Sequence, residues 1–359
     1  MNIGILSMQE VKNYGSFLQA FSLSKNIEAL GHSVDFINII PGRQLAEYRQ
    51  PKFAKVEKLV TRLWGWDFAK RFRTIYQFQT RFKKEFLPYL GAGLGNNEKH
   101  YDCIVIGSDE VFNFAQQTWF GFSPQLFGHG LNADKVITYA GSFGATDIPK
   151  IEHLGLKDEL IGYLKDLAKI SVRDRNSYKV VEGLTGIEPE VNVDPVFIYD
   201  YVEYIPQKHY KSDYIIVYSY PGRISDPKEI RAIQAFAKKK GLRLLSIGHY
   251  FPWCDDVVVP TPFEVLAYFR DAAYIVTDTF HGSVMSIKFN KQFATIVRGM
   301  NNNKLSYLLE EFGLSSRIVR DTIDLDCIED TPINYKSVND IIAREKVRSI
   351  NYLRENINK

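Results

Sequence analysis

Asn2-Ile-Gly-Ile-Leu-Ser7, a polar turn through Asn13-Tyr14-Gly15, a helical run over 16–30 and an apolar run over 33–39 open the chain. That succession of strand, turn, helix and strand is a βαβ unit. Phe17, Phe21, Leu23 and Ile27 recur at spacings of a helix face that packs on a sheet, and Gly31 supplies the stop. Working outward, a Lys-, Arg- and Phe-rich stretch over 45–89 carries helical periodicity and predicts a helical insertion. Short apolar runs follow at 101–106, 135–139, 169–172 and 190–193, separated by loops or helical patterns, which implies a mostly parallel sheet. The segment 200–212, with Pro206, breaks the pattern. Strand and helix runs then alternate again from 213 to 312. The expectation is an α/β protein of two Rossmann-like domains, 1–205 and 206–335. An amphipathic helix within 336–359 is placed to cross back onto the first domain.

The 359 residues are 45% hydrophobic and 24% charged, proportions of a globular protein with room for two cores. A formal charge of +3 with no nucleic-acid motif argues against a nucleic-acid partner. Three cysteines without CxxC spacing argue against a disulfide framework or structural zinc, and a reducing cytoplasm fits them best. The apolar runs are strand-length, and the opening lacks a signal-peptide pattern. The basic segment 52–84 offers a route to peripheral membrane attachment.

In a doubly wound sheet, ligands bind beyond the carboxyl ends of strands, so the turns there are the places to look. In Ile275-Val-Thr-Asp-Thr-Phe-His281-Gly-Ser283 a strand runs into a helix opened by a histidine. Thr279 and the amides of Gly282 and Ser283 suit an anion, and His281 suits general acid or base work; the competing assignment is helix capping. Gly107-Ser108-Asp109 ends another strand at an expected helix start, with Asp109 able to bind or deprotonate a hydroxyl or simply to cap. Arg173 ends a third strand and offers a planar fork to carboxylate or phosphate, or else an ion pair with Asp174. Arg223 lies just beyond the strand over 213–219 as a further anion candidate. Asn13 and Ser16 are ligand candidates, with helix capping by Ser16 the alternative, and the spacing there is not GxGxxG, which disfavours a dinucleotide site. The histidines lack metal-ligand spacing, and no metal is assigned.

Together, Asn13-Tyr14-Gly15, Gly107-Ser108-Asp109, Tyr139-Ala-Gly-Ser-Phe-Gly144, Ser171-Val-Arg173, Val193-Asp194-Pro195 and Thr279-Phe-His281-Gly282 resemble the polysaccharide pyruvyl transferase family, in matching order over about 2–300. The resemblance implies a glycosyltransferase-B-like pair of domains facing across a cleft. It also implies transfer of pyruvate from phosphoenolpyruvate onto a sugar or lipid-linked glycan as a ketal, and no cofactor is expected; the expected location is the cytoplasm, with the inner face of the membrane as the site of any attachment. By the same resemblance His281 matches the family's functional histidine and Arg173 the arginine of its Ser-x-Arg motif. From their strand-end positions Asp109 joins His281 as a catalytic candidate, Arg223, Thr279, Gly282 and Ser283 join Arg173 as donor-binding candidates, and Asn13, Tyr14 and Ser108 are acceptor candidates. Where better-studied branches carry Arg-Leu-His, this chain has Thr279-Phe280-His281. The missing cation then falls to Arg223, Lys288 or Arg298, or the donor differs. A nucleotide-sugar glycosyltransferase and a non-catalytic sugar- or anion-binding protein are the alternative readings.

Overall fold

A computed structural model describes residues 1–45, 66–92, 96–115, 118–299, 302–320, 325, 328 and 331–358. The first sheet contains β1 (Asn2–Leu6), β2 (Ser33–Phe36), β3 (Cys103–Asp109), β4 (Val136–Gly141), β5 (Ser171–Val172) and β6 (Glu190–Val191). The second contains β7 (Tyr214–Tyr218), β8 (Arg243–Ile247), β9 (Asp256–Val258), β10 (Tyr274–Thr277), β11 (Phe293–Ile296) and β12 (Ile318–Val319). Their orders are β2-β1-β3-β4-β5-β6 and β12-β11-β10-β7-β8-β9, and every ladder is parallel. Central strands such as β7 and β10 are buried throughout, as strands covered by helices on both faces must be. The α/β architecture of two Rossmann-like sheets is therefore as the strand pattern predicts. The edge strands β9 and β12, three and two residues long, are too short to stand out and escape sequence reading.

The helices are α1 (Tyr14–Ala29), α2 (Trp66–Arg81), α3 (Ile148–His153), α4 (Lys157–Asp166), α5 (Arg175–Thr185), α6 (Pro195–Ile198), α7 (Pro227–Lys240), α8 (Pro262–Asp271), α9 (Phe280–Lys288), α10 (Asn302–Glu311) and α11 (Tyr335–Asn358). Within the helical insertion expected over 45–89, helical turns run from 66 to 89, and 46–65 lie outside the described residues. Cys103 and Cys254 are free thiols, and Cys327 also lies outside.

One apolar core is continuous between the sheets. Phe17 and Phe21 of α1 meet Phe263 of α8, with ring centroids 5.8 and 5.0 Å apart. The Tyr14 hydroxyl donates to the Pro260 carbonyl at 2.9 Å. Such packing holds the floor between the sheets as a fixed platform. The last helix, α11, lies against the first sheet, where Tyr352 donates to the Thr138 carbonyl at 2.8 Å.

Candidate active site

In each sheet the chain reverses its direction of winding at one point, between β1 and β3 in the first and between β7 and β10 in the second. Strands diverge there, and the loops beyond their carboxyl ends open a crevice. The two crevices face one cavity of about 280 Å³. Lys12, Asn13 and Ser16 reach it after β1, Asp109 and Glu110 at the end of β3, and Arg173 after β5. From the second sheet come Tyr220, Arg223, Thr279, Phe280 and His281, joined by Lys304 of α10.

A line of charged groups crosses the floor. Arg173 donates to Asp194 Oδ2 at 2.9 Å and to Asp109 Oδ1 at 3.1 Å, with all but about a hundredth of its side chain buried. Its guanidinium lies 4.1 Å over the Phe280 ring. His281 Nε2 stands 3.4 Å from the same Asp194 oxygen, an ion-pair contact just beyond a well-formed hydrogen bond, and has no other polar partner among the described residues. Burial pushes both carboxyls up. For Asp109 the opposing charge of Arg173, then of His281, outweighs it, and the Ser16 hydroxyl donates at 2.7 Å. For Asp194 the nearby charge of His281 acts first and Arg173 next, so both carboxyls end below their ordinary range. Asp194 also caps α6 by accepting from Val196 N.

The imidazole can reach this position because residue 15 is glycine. A Cβ at Gly15 would lie 2.2 Å from His281 Cγ and Nδ1, well inside van der Waals contact. Gly15 thus lets a side chain of the second sheet's α9 rest on the first turn of α1.

Several expected roles are corrected by the geometry. Thr279 is the N-cap of α9 and accepts from Gly282 N at 3.0 Å, while Ser283 N bonds back to the Thr279 carbonyl at 3.2 Å. The amides of Gly282 and Ser283 are therefore engaged, and both residues are buried rather than cleft-lining. Glycine at 282 makes room for the Thr277 hydroxyl, which a Cβ would meet at 2.1 Å, not for an anion. Ser108 is fully buried and bonds to Gln19, and no helix starts at Asp109, where β3 ends in turns. Tyr14 turns into the apolar core and leaves the cleft. Ser16 is not the cap of α1; Asn13 is, accepting from Ser16 N at 2.6 Å. Asp174 caps α5 and does not pair with Arg173.

Of the cations offered for the missing arginine, only Arg223 lines the cleft, stacked 4.6 Å from the Tyr220 ring. Lys288 donates to the Tyr199 carbonyl at 2.8 Å on another face, and Arg298 is held by both carboxylate oxygens of Glu229. Sequence reasoning missed Lys12, Glu110, Lys304 and the function of Asp194 and Gly15. Lys304 and Glu110 pair across the cleft. Among the described residues, Lys12 and Arg223 have no carboxylate within ion-pair distance. Four cations face two carboxylates around the cavity, so its field favours an anion.

A family model described as polysaccharide pyruvyl transferase matches residues 13–299. No curated protein matches the chain. Solved structures similar to it include an S. aureus MnaA–UDP co-structure, 12% identical over 95% of this chain and 87% of that one, TM-score 0.49. Others are the Methanocaldococcus jannaschii UDP-GlcNAc 2-epimerase with UDP-GlcNAc and UDP (10%, 95% and 93%, TM-score 0.47) and the Streptomyces sp. SF2575 glycosyltransferase SsfS6 with thymidine diphosphate (13%, 100% of each chain, TM-score 0.47).

Proposed function

Since the chain belongs to the polysaccharide pyruvyl transferase family, we propose that its cleft transfers the pyruvyl group of phosphoenolpyruvate onto two hydroxyls of a glycan, forming a cyclic ketal. The observation that carries this reading is the His281–Asp194–Arg173–Asp109 line on the floor of a cavity with an excess of cations.

Phosphoenolpyruvate has a carboxylate and a phosphate. Arg223 and Lys12, each without a carboxylate partner of its own among the described residues, are the groups to hold them. Arg173 is already bound by two carboxylates and acts as the positioning residue that keeps Asp194 beside His281. Proton transfer to the methylene carbon turns it into a methyl group and leaves an oxocarbenium-like centre at the adjacent carbon. One glycan hydroxyl adds there, the bond to the phosphate oxygen breaks, and a second hydroxyl closes the ketal. Two C–O bonds form and one breaks. Of the two hydroxyl protons lost overall, the methyl group's gain balances one and the departing phosphate carries the other. His281 is the group for this proton traffic: Asp194 holds its Nε2 edge, and the other ring nitrogen is left to give or take the proton. Asp109 is ionised and engaged by Arg173 and Ser16, so it serves as a fixed negative charge better than as a base.

The test is to incubate the protein with carbon-labelled phosphoenolpyruvate and extracted envelope glycans or their lipid-linked precursors. Label should enter the glycan with release of inorganic phosphate and return as free pyruvate on mild acid hydrolysis. Label that reaches no glycan while a nucleotide sugar is consumed instead would replace this reading with glycosyl transfer.

A further inference from the structure

The helix α2 carries apolar side chains on two faces. Its inner face is anchored to both sheets' domains: Phe78 packs on Tyr14 at 5.1 Å and on His249 at 6.0 Å. Arg81 donates to the Val259 carbonyl at 2.6 Å, and Tyr250 donates to Asp67 at 2.6 Å. Its outer face presents Phe72 and Tyr76, one turn apart with rings 6.4 Å apart and stacked, at 60% and 62% exposure, with Ile75 beside them at 37%. An ordinary surface helix puts charge there. The charge is instead on the shoulders. At 100° per residue Arg71 and Arg73 lie on either side of Phe72, and both are exposed. From 70 to 84, besides the inward Arg81, the chain has Lys70, Arg71, Arg73, Lys83 and Lys84 and no acidic residue, against +3 for the whole protein.

We propose that this outer face of α2 docks on a bilayer surface rich in anionic phospholipid, with Phe72, Ile75 and Tyr76 entering the headgroup boundary and the flanking cations on phosphate. An aromatic ridge with arginines on both shoulders matches the layering of an interface, apolar at depth and anionic above. Among the described residues no helix is long and apolar enough to cross a membrane, so the attachment is peripheral. Because α2 bridges the loops beside the cleft, docking would hold the active site at the surface where a lipid-linked glycan resides. The proposal itself stands on α2 alone and not on the chemistry of the cleft.

The experiment is vesicle co-sedimentation of the full chain. Phosphatidylglycerol-containing vesicles should pellet the protein and pure phosphatidylcholine vesicles should not. Phe72→Ser/Tyr76→Ser should weaken binding more than about tenfold, and each of Arg71→Gln and Arg73→Gln roughly fivefold. Both sets should leave the thermal midpoint unchanged, since these side chains are exposed. Failure of the wild-type protein to bind anionic vesicles, or equal binding by the aromatic variant, would overturn the proposal. So would a dimer in solution that the aromatic substitutions dissociate without any vesicle binding, because the ridge would then be a contact between copies.

Discussion

His281→Ala lowers the rate of pyruvyl transfer by about 10²–10⁴, the span that a positioned proton-transfer group contributes, while urea unfolding stays cooperative. Asp194 retains Arg173 when the imidazole is removed, so the floor of the cleft keeps its strongest pair. Phosphoenolpyruvate affinity should change little, because the proposal gives the anion-holding role to Arg223 and Lys12. Gly15→Ala tests the same claim without touching the histidine. In a helix this substitution ordinarily stabilises by roughly 0.5–1 kcal/mol. Here the new methyl group would stand 2.2 Å from the imidazole and must push it off Asp194. A displacement of about 1 Å is enough to cost about 10²-fold in rate. Turnover by Gly15→Ala equal to that of the wild type would remove His281 from the mechanism as surely as an active alanine variant.

Asp194→Ala destabilises the protein by about 3–5 kcal/mol, the loss expected when one partner of a buried ion pair is deleted and the other stays buried. Arg173 would be left with Asp109 alone, and α6 would lose its cap. Asp194→Asn keeps the shape and the cap acceptor but not the charge, and should lose less. The pH dependence follows from the direction of the shifts. Asp194 and Asp109 lie below their ordinary values when folded. Their stabilisation is therefore fully present above the unfolded carboxylate pKa of about 3.9 and disappears as pH falls through their lower folded values. Urea midpoints measured from neutral pH down into that acid range should drop steeply for the wild type and less steeply for Asp194→Asn. Parallel acid limbs would show that this carboxylate does not carry the linkage.

How far the sequence could be read depended on whether the signal was local. Apolar strand runs and helix spacings are local, and they identify two parallel sheets and the turns beyond β1, β3, β5, β7 and β10. The Thr279-Phe-His281 turn is legible for the same reason. What a turn residue does there depends on its partners across the cleft, which sequence spacing does not encode. Ser108 looks as suitable as Asp109, yet it points inward to Gln19. Gly282 looks like an anion seat, yet it accommodates a threonine hydroxyl. Asp194 stands in the sequence only as part of Val193-Asp194-Pro195, and its place between Arg173 and His281 exists only once the second sheet is laid against the first. Lys304 is one helical lysine among many until α10 brings it to Glu110.

This arrangement also decides which variant is informative about the donor. Arg173→Ala would leave Asp109 without its cation and Asp194 with His281 alone, confounding binding with folding, whereas Arg223 is exposed, its guanidinium stacks on Tyr220 and it can be removed cleanly. The most direct measurement is a thermal-shift titration of the wild type and Arg223→Ala with phosphoenolpyruvate, pyruvate, phosphate and a panel of nucleotide sugars. The account predicts that phosphoenolpyruvate raises the wild-type midpoint above the effect of phosphate or pyruvate, and that Arg223→Ala loses most of that rise. Stabilisation by a nucleotide sugar with no response to phosphoenolpyruvate would contradict it.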